Sequence, residues 1–347
     1  MFNKVLGKFS KDLGIDLGTK NTLVYTSEKG IVINEPSVVA VNTRTDEILA
    51  VGEEAKQMLG KTPGHIQAIK PLVDGVISDF EVTEKMLKYF IDKVHSESFT
   101  LIPRPRVIIG IPLDITEVEK KAVEDAAKSA GARQVFLIEE SMAAAIGARL
   151  PVTEPTATMI VDVGGGTTEI SVISLGGVVT WKSIRLAGNE LDNNIIQYIR
   201  EEFNILIGEQ VAEKIKIKIG SATQLKESVD MEVRGRDLIN GLPKAVTVND
   251  SQIREAMTKT INQIIENIKN TLESTPPELV SDIYEHGIIL SGGGALLRGL
   301  DKEIAQATKI PVRLADDPLT CVARGTGVLL SDQELLVKVI SPASNEL

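Results

Sequence analysis

Two short segments of this sequence carry an aspartate followed by glycine and threonine. Residues 14–19 read GIDLGT and residues 161–168 read VDVGGGTT, so that Asp16 and Asp162 each end an apolar run. Glycine at such a turn lets backbone N–H groups approach an anion with no Cβ in the way. Two turns of this kind, facing each other across a cleft, would bind a polyphosphate from both sides, with the two aspartates holding a hydrated Mg²⁺.

A third glycine-rich segment lies later in the chain. An apolar run at residues 286–290 leads into Ser291 and the glycine triplet of residues 292–294, and a helical pattern follows. A strand-to-helix turn of this type is suited to lie beneath the base and ribose of a nucleotide. A single Asp-x-Gly-Thr segment would be more typical of a structural turn, since Asp and Gly occur in many turns. The three segments together predict an ATP site between two related halves of the chain.

The composition indicates a globular protein and argues against several other classes. The 347 residues are 43% hydrophobic and 25% charged, with a net charge of −10 and no block rich in Lys or Arg. We therefore expect no nucleic-acid partner. No apolar run approaches the ~20 residues of a membrane span, and no signal peptide is predicted. The single cysteine, Cys321, fits a reducing cytoplasm, and the three scattered histidines do not predict a zinc site.

Apolar β-branched runs alternate with segments of helical period, which predicts α/β layers. Thr116 and Glu119 form a capping box at the start of one predicted helix. Short strands between residues 231 and 248 predict a small insertion in the second half, and residues 30–80 predict one in the first. The predicted strands are 106–111, 135–138, 157–163 and 287–290, and the predicted helices are 83–94, 116–129, 139–150, 186–203, 209–219 and 252–272.

Several further segments carry a family resemblance over nearly the whole chain. These segments are residues 15–19, 34–40, 62–64, 136–140, 142–147, 291–298 and 317–325. They resemble the actin/Hsp70/sugar-kinase ATPase superfamily and, more closely, the MreB family of bacterial actins. The resemblance implies an α/β, actin-like two-lobed ATPase fold of duplicated ribonuclease-H-like domains, each with a smaller inserted subdomain. Lobe I would comprise 1–150 and about 318–347, with its insertion at about 30–80. Lobe II would comprise 151–317, with its insertion at about 188–250.

The resemblance also implies roles for individual residues. Asp16 and Asp162 would organise Mg²⁺, mainly through water, and Glu140 and Thr167 would place the attacking water in line with the γ-phosphate. The residues implied to bind ATP or ADP are Gly18, Thr19, Lys20, Asn21, Gly164, Gly165, Gly166, Glu213, Lys216, Gly292, Gly293, Gly294 and Ala295.

Some of these residues have another interpretation when taken alone. Glu213 and Lys216, implied to contact ribose and adenine, are by themselves typical of a solvated helical ion pair. Glu140 alone is typical of a carboxylate in the first turn of a helix, where the dipole favours it. The chain departs from the family at Ser141, where proline is usual, and at Lys20, where a small residue is usual. The Lys20 ammonium would either strengthen nucleotide binding or point into solvent.

The N-terminal residues form a second functional signal. Phe2, Val5, Leu6 and Phe9 have helical spacing, and lysines fill much of the opposite side. This pattern predicts a basic amphipathic helix on an anionic membrane, the alternative being a helix packed against its own domain. Phe99 and Leu101, in a loop flanked by proline, predict a second apolar membrane contact or simple loop packing.

The leading hypothesis is a cytoplasmic ATPase that polymerises on the inner face of the cell membrane and directs rod shape. It would hydrolyse ATP slowly to ADP and phosphate. Its partners would be further copies of itself, the anionic membrane surface, and membrane-bound proteins of cell shape and wall synthesis. The alternative is a small-molecule kinase of the same superfamily, although no additional Asp or His suggests a base beside an acceptor hydroxyl. An Hsp70-like chaperone would need a separate peptide-binding domain.

Overall fold

The computed structural model describes residues 10–96 and 104–340. The predicted membrane residues Phe2, Val5, Leu6, Phe9, Phe99 and Leu101 lie outside these ranges. The described chain alternates strands and helices, which confirms the predicted α/β class. Within the described ranges, every helix is too short or too polar to cross a lipid bilayer.

The described strands are β1 (Leu13–Leu17), β2 (Asn21–Thr26), β3 (Gly30–Pro36), β4 (Val39–Asn42), β5 (Glu47–Val51), β6 (Ile66–Ile69), β7 (Leu72–Val73), β8 (Val76–Ile77), β9 (Arg106–Ile111), β10 (Gln134–Glu139), β11 (Thr158–Val163), β12 (Thr168–Ser174), β13 (Gly177–Ile184), β14 (Ile205–Leu206), β15 (Asp230–Asp237), β16 (Pro243–Asn249), β17 (Ile288–Ser291) and β18 (Val312–Leu314). The described α-helices are α1 (Glu53–Met58), α2 (Phe80–His95), α3 (Glu117–Ser129), α4 (Glu140–Gly147), α5 (Gly188–Phe203), α6 (Glu209–Ile219), α7 (Asp250–Ser274), α8 (Pro277–His286), α9 (Leu300–Thr308), α10 (Cys321–Ser331) and α11 (Gln333–Val339).

Two five-stranded sheets share one topology. The first has the order β10-β9-β1-β2-β3 and the second the order β18-β17-β11-β12-β13. In each sheet, the strand that carries the aspartate is the first of three consecutive antiparallel strands. On its other side, the same strand pairs in parallel with its neighbour. The repeated segments of the sequence therefore occupy equivalent places in two similar sheets. We call the elements packed on the first sheet the first lobe, and those packed on the second sheet the second lobe.

Each lobe also carries a smaller sheet. Strands β5-β4-β6 form one in the first lobe, and β14-β15-β16 form one in the second. The strand Gly30–Pro36 lies in the main sheet, although it falls within the predicted insertion of residues 30–80. The exact lobe boundaries given above remain a prediction.

Local sequence explains most element boundaries. The Thr116–Glu119 capping box is present, with Thr116 N–H donating to Glu119 Oε2 at 2.8 Å. Helix α7 begins before the predicted residue 252, because Asn249 and Gln252 form a second capping box. The predicted strand at residues 287–290 begins at Ile288, because Gly287 has a φ of 82° and ends helix α8.

Helices α4 and α10 pack against each other between the two sheets. They form a hydrophobic cluster with Ile108 of the first sheet and with Ile160 and Ile173 of the second. Helix α10 follows the second sheet in the chain, yet it also packs on β1. The C-terminal part of the chain thereby joins the two lobes.

Candidate functional site

A cavity of about 370 Å³ lies between the two lobes. Apart from Ala295, every residue implied to contact nucleotide, magnesium or the attacking water lines this cavity. Ala295 is buried in the hydrophobic core of the second lobe and does not line the cavity. Residues from both sheets therefore converge on one cleft, as the repeated segments predicted.

The first two glycine turns lie directly against each other. A Cβ on Gly165 would overlap the Lys20 side chain, and one on Gly166 would come within 2.9 Å of Asp74 Cα. Gly75 N–H donates to Thr19 Oγ1 at 2.9 Å, which fixes the threonine of the first turn. Glycine is therefore required here because no space remains for a side chain between the turns.

The third glycine segment packs on the second sheet. Gly292 has a φ of 81°, and its N–H donates to the Pro318 carbonyl at 2.8 Å. A Cβ on Gly294 would overlap the Val163 side chain. The helical pattern that follows the glycines begins as a 3₁₀ helix, Gly293–Leu296. The next α-helix is α9, which starts at Leu300.

Asp16 and Asp162 lie on the cavity wall at corresponding positions of β1 and β11. Burial and the neighbouring Asp162 raise the pKa of Asp16 to about 8. Burial raises the pKa of Asp162 to about 6, although Ser291 Oγ donates to its Oδ1 at 2.8 Å and opposes the shift. The surroundings of both carboxyl groups disfavour their ionisation, and a bound divalent cation would compensate their negative charge. Mg²⁺ needs only one or two such carboxylates, since it keeps several waters.

Glu140 is the first residue of α4 and is only 8% exposed. Burial, followed by the negative charges of Glu169, Asp16 and Asp162, raises its pKa well above the usual value. A carboxyl group held in this way at the cavity wall is a candidate for orienting water. Ser141 is the second residue of the helix, and its hydroxyl is buried without a hydrogen-bond partner among the described residues.

Glu169 is a buried acidic residue next to the site residues, and the sequence analysis missed it. It lies directly opposite Asp162 on the adjacent strand and is 1% exposed. Its Oε1 accepts a hydrogen bond from Leu113 N–H at 2.7 Å, and burial raises its pKa to about 8. The available signal was a glutamate within the otherwise uncharged strand Thr168–Ser174.

The Lys20 ammonium is paired with acidic side chains and does not simply point into solvent. Its Nζ donates to Asp192 Oδ2 at 3.0 Å and lies 3.5 Å from Glu213 Oε1, so it connects the first lobe to α5 and α6 of the second. Burial lowers the pKa of Lys20, but Asp192 and Glu213 outweigh this effect and raise it overall. Asp192, whose side chain is 2% exposed, was also missed by the sequence analysis.

Glu213 and Lys216 are not a solvated ion pair. Lys216 Nζ lies 2.8 Å from Asp192 Oδ1 and donates to the Gly188 carbonyl at 2.8 Å, and burial lowers its pKa. Glu213 instead lies 3.2 Å from Lys56 Nζ. Both side chains line the cavity, so the interpretation as a simple surface pair is wrong.

Comparison with known proteins places this architecture in one family. Residues 10–338 match the family model described as MreB/Mbl protein. The cell shape-determining protein MreB of Escherichia coli (strain K12) is 54% identical over 334 residues, which are 95% of this chain and 96% of that protein.

Solved structures agree with the two-lobed actin-like fold. The crystal structure of MreB5 of Spiroplasma citri bound to ADP has a TM-score of 0.89 and 38% identity, covering 94% of this chain and 98% of that one. The structure of the MamK double helical filament has a TM-score of 0.78 at 24% identity, covering 92% of this chain and 98% of that one. At that identity, the second comparison concerns the fold alone.

Proposed function

Because the chain belongs to the MreB/Mbl family, we propose that it is an ATP-binding cytoskeletal protein that assembles into filaments on the inner face of the cytoplasmic membrane and directs rod cell shape. The observation that carries the proposal is the pair of opposed glycine turns, one from each sheet, at a single cleft.

Nucleotide binding is supported by the chemistry of the cleft. Backbone N–H groups near Gly18 and Gly164 would face the phosphates, and the segment beginning at Gly292 would lie beneath the adenosine. The related MreB5 of Spiroplasma citri has been crystallised with ADP and with AMPPNP. A cavity of about 370 Å³ is also within the usual range for small-molecule sites.

Slow hydrolysis would use residues at the phosphate end of the cleft. Asp16 and Asp162 would hold Mg²⁺, mainly through water, and the ion would neutralise phosphate charge. Glu140 and Thr167, from opposite lobes, would orient the attacking water. Both are largely buried, which limits the number of positions that water can occupy.

Membrane binding is supported by contacts at the edges of the described ranges. Arg104 N–H donates to Ser10 Oγ at 3.0 Å, and Lys11 N–H donates to His95 Nε2 at 3.0 Å. Residue 10 follows the predicted N-terminal helix, and residues 95 and 104 flank the loop of Phe99 and Leu101. The two predicted membrane segments are therefore attached next to each other, which would let them contact the same bilayer surface.

A single copy would bind the membrane weakly. Each buried apolar side chain would contribute about 1.5–3 kcal/mol and each lysine about 1 kcal/mol, against an ordering cost of about 1–2 kcal/mol per residue. Head-to-tail assembly through an interface that does not close into a ring would repeat the contact along a filament and strengthen it. Such a filament would be a peripheral platform for membrane-bound proteins of cell shape and wall synthesis.

The test is sedimentation and electron microscopy of the full chain with ATP, Mg²⁺ and vesicles containing anionic lipid. We expect filaments on the vesicles only when nucleotide is present. Soluble monomers under these conditions at micromolar concentrations would overturn the proposal. Phosphoryl transfer to a panel of sugars would instead support the kinase alternative.

A further inference from the structure

Among the described residues, four ion pairs connect the lobes beside the nucleotide cleft. Three lysines of the first lobe meet three acidic residues of the second, which we together call the interlobe clasp: Lys20, Lys56, Lys70, Asp192, Glu209 and Glu213. The pairs are Lys20 with Asp192 at 3.0 Å and with Glu213 at 3.5 Å, Lys56 with Glu213 at 3.2 Å, and Lys70 with Glu209. The clasp therefore runs from a phosphate turn at one end to an exposed pair at the other.

The inner end of the clasp is buried between the two phosphate turns and α5. The Lys20 stem lies against Gly165, and its ammonium shares the Asp192 carboxylate with Lys216. Two ammonium groups from opposite lobes thus depend on one buried carboxylate. A buried ion pair of this kind is costly to break, because separation leaves charges without partners in a poorly solvated site.

The outer end of the clasp holds α6 against the small sheet of the first lobe. Lys56 lies in α1, Lys70 follows β6, and both reach side chains of α6. Gln210 Nε2 adds a hydrogen bond to the Lys56 carbonyl at 2.7 Å. A smaller cavity of about 30 Å³ lies beneath these contacts and shares Lys20 and Glu213 with the main one. The clasp thereby bridges the cleft next to the site proposed for nucleotide.

We propose that the interlobe clasp controls nucleotide exchange, because its ion pairs must separate before the lobes can part and release ADP. This inference rests on the proposed nucleotide site and adds a regulatory function that extends to residues outside it. Lys70 and Glu209 do not line the main cavity, so they act on exchange through the lobes and not through contact with nucleotide.

The experiment measures release of a fluorescent ADP derivative by stopped flow after mixing with excess unlabelled ADP. Lys70→Glu and Glu209→Lys each place like charges opposite each other, and each should accelerate release about five-fold. The double variant Lys70→Glu/Glu209→Lys restores opposite charges and should return to the wild-type rate. Lys61→Glu is the matched control: it makes the same charge change on an exposed residue of the same insertion, outside the clasp, and should leave release unchanged.

Ionic strength provides a second measurement. Added NaCl screens the partly exposed outer pair, so it should accelerate release more from the wild type than from the uncharged double variant Lys70→Met/Glu209→Gln. The proposal that the clasp controls exchange would be overturned if either charge-reversal variant released ADP at the wild-type rate. It would also be overturned if Lys70→Glu/Glu209→Lys released ADP no more slowly than the two single variants. Failure of the wild type to bind ADP at all would instead overturn the proposed function, which separates the two results.

Discussion

Gly147 in α4 and Gly325 in α10 each lie against the backbone of the other helix. A Cβ on Gly147 would overlap the Cys321 carbonyl oxygen, and one on Gly325 would overlap the Ala143 carbonyl oxygen. Since backbone atoms cannot move aside as a side chain can, the two helices approach this closely only with glycine at both positions. This crossing lies in the cluster that joins the two sheets, immediately after the helical turn that carries Glu140.

Gly325→Ala should therefore destabilise the protein by about 3 kcal/mol, the upper part of the range for overpacked cores. Gly177→Ala is the matched control, because a Cβ there meets no atom within 4 Å and Gly177 does not have a positive φ. Denaturant unfolding of both variants measures the difference. If the two variants had equal free energies of unfolding, the two helices would move apart readily enough to accommodate the added methyl group, and the prediction would be wrong.

Asp162→Ala should nearly abolish Mg²⁺-dependent binding of ADP, because it removes a buried carboxylate proposed to hold the ion. Ser291→Ala removes only the hydrogen bond to Asp162 and should weaken binding about ten-fold or less. Calorimetric titration in Mg²⁺ and in EDTA measures both effects. Undiminished ADP binding by Asp162→Ala would exclude this carboxylate from the site.

Glu140→Ala should retain nucleotide binding but slow phosphate release roughly 100-fold, because the attacking water would lose its proposed partner. The adjacent Glu139 is half-buried and lies at the N-cap position of the helix, but its side chain makes no capping hydrogen bond. Glu139→Ala should therefore change turnover little. A coupled phosphate assay compares the two variants. Turnover in Glu140→Ala equal to the wild type would remove Glu140 from its proposed role.

Stability without Mg²⁺ should fall as pH rises, and Glu169 should contribute to this slope. Its folded pKa of about 8 lies above the ordinary value of 4.5, so its stabilising effect is complete below pH 4.5 and is lost as pH rises through about 8. The loss for one such group is at most about 1.4 kcal/mol per pH unit.

Glu169→Gln should show a shallower pH dependence, since glutamine keeps the acceptor for Leu113 N–H but cannot ionise. Unfolding in EDTA from pH 5 to 9 measures the slope for each protein. If the free energy of unfolding changed with pH at the same slope in the variant and the wild type, the predicted contribution of Glu169 would be wrong.

Deletion of residues 1–9 should release the protein from anionic vesicles while leaving ADP affinity unchanged, because the nucleotide cleft is built from other segments. Vesicle flotation measures the bound fraction. A control with Phe99→Ser and Leu101→Ser tests the second segment separately. Persistent binding after the deletion would assign membrane contact to that loop, and binding after both changes would contradict both predictions.

The features of the site that the sequence predicted are those set by local chemistry. The turns around Gly18 and Gly164 depend on glycine because a Cβ there would lie against a backbone carbonyl of the same turn, and Asp16 and Asp162 follow directly from strand ends. The Thr116–Glu119 capping box is likewise a contact across four consecutive positions. Such features can be read from neighbouring residues, and the structure places them as expected.

Other features depended on contacts between distant parts of the chain. No local pattern brings Lys20 to Asp192, turns Glu169 towards Leu113, or places Ala295 in the core instead of the cavity. The sequence by itself thus determined the glycine turns, the aspartates and the family. The tertiary structure alone decided which charges meet across the lobes, because ion pairing and burial depend on where separate helices and strands pack.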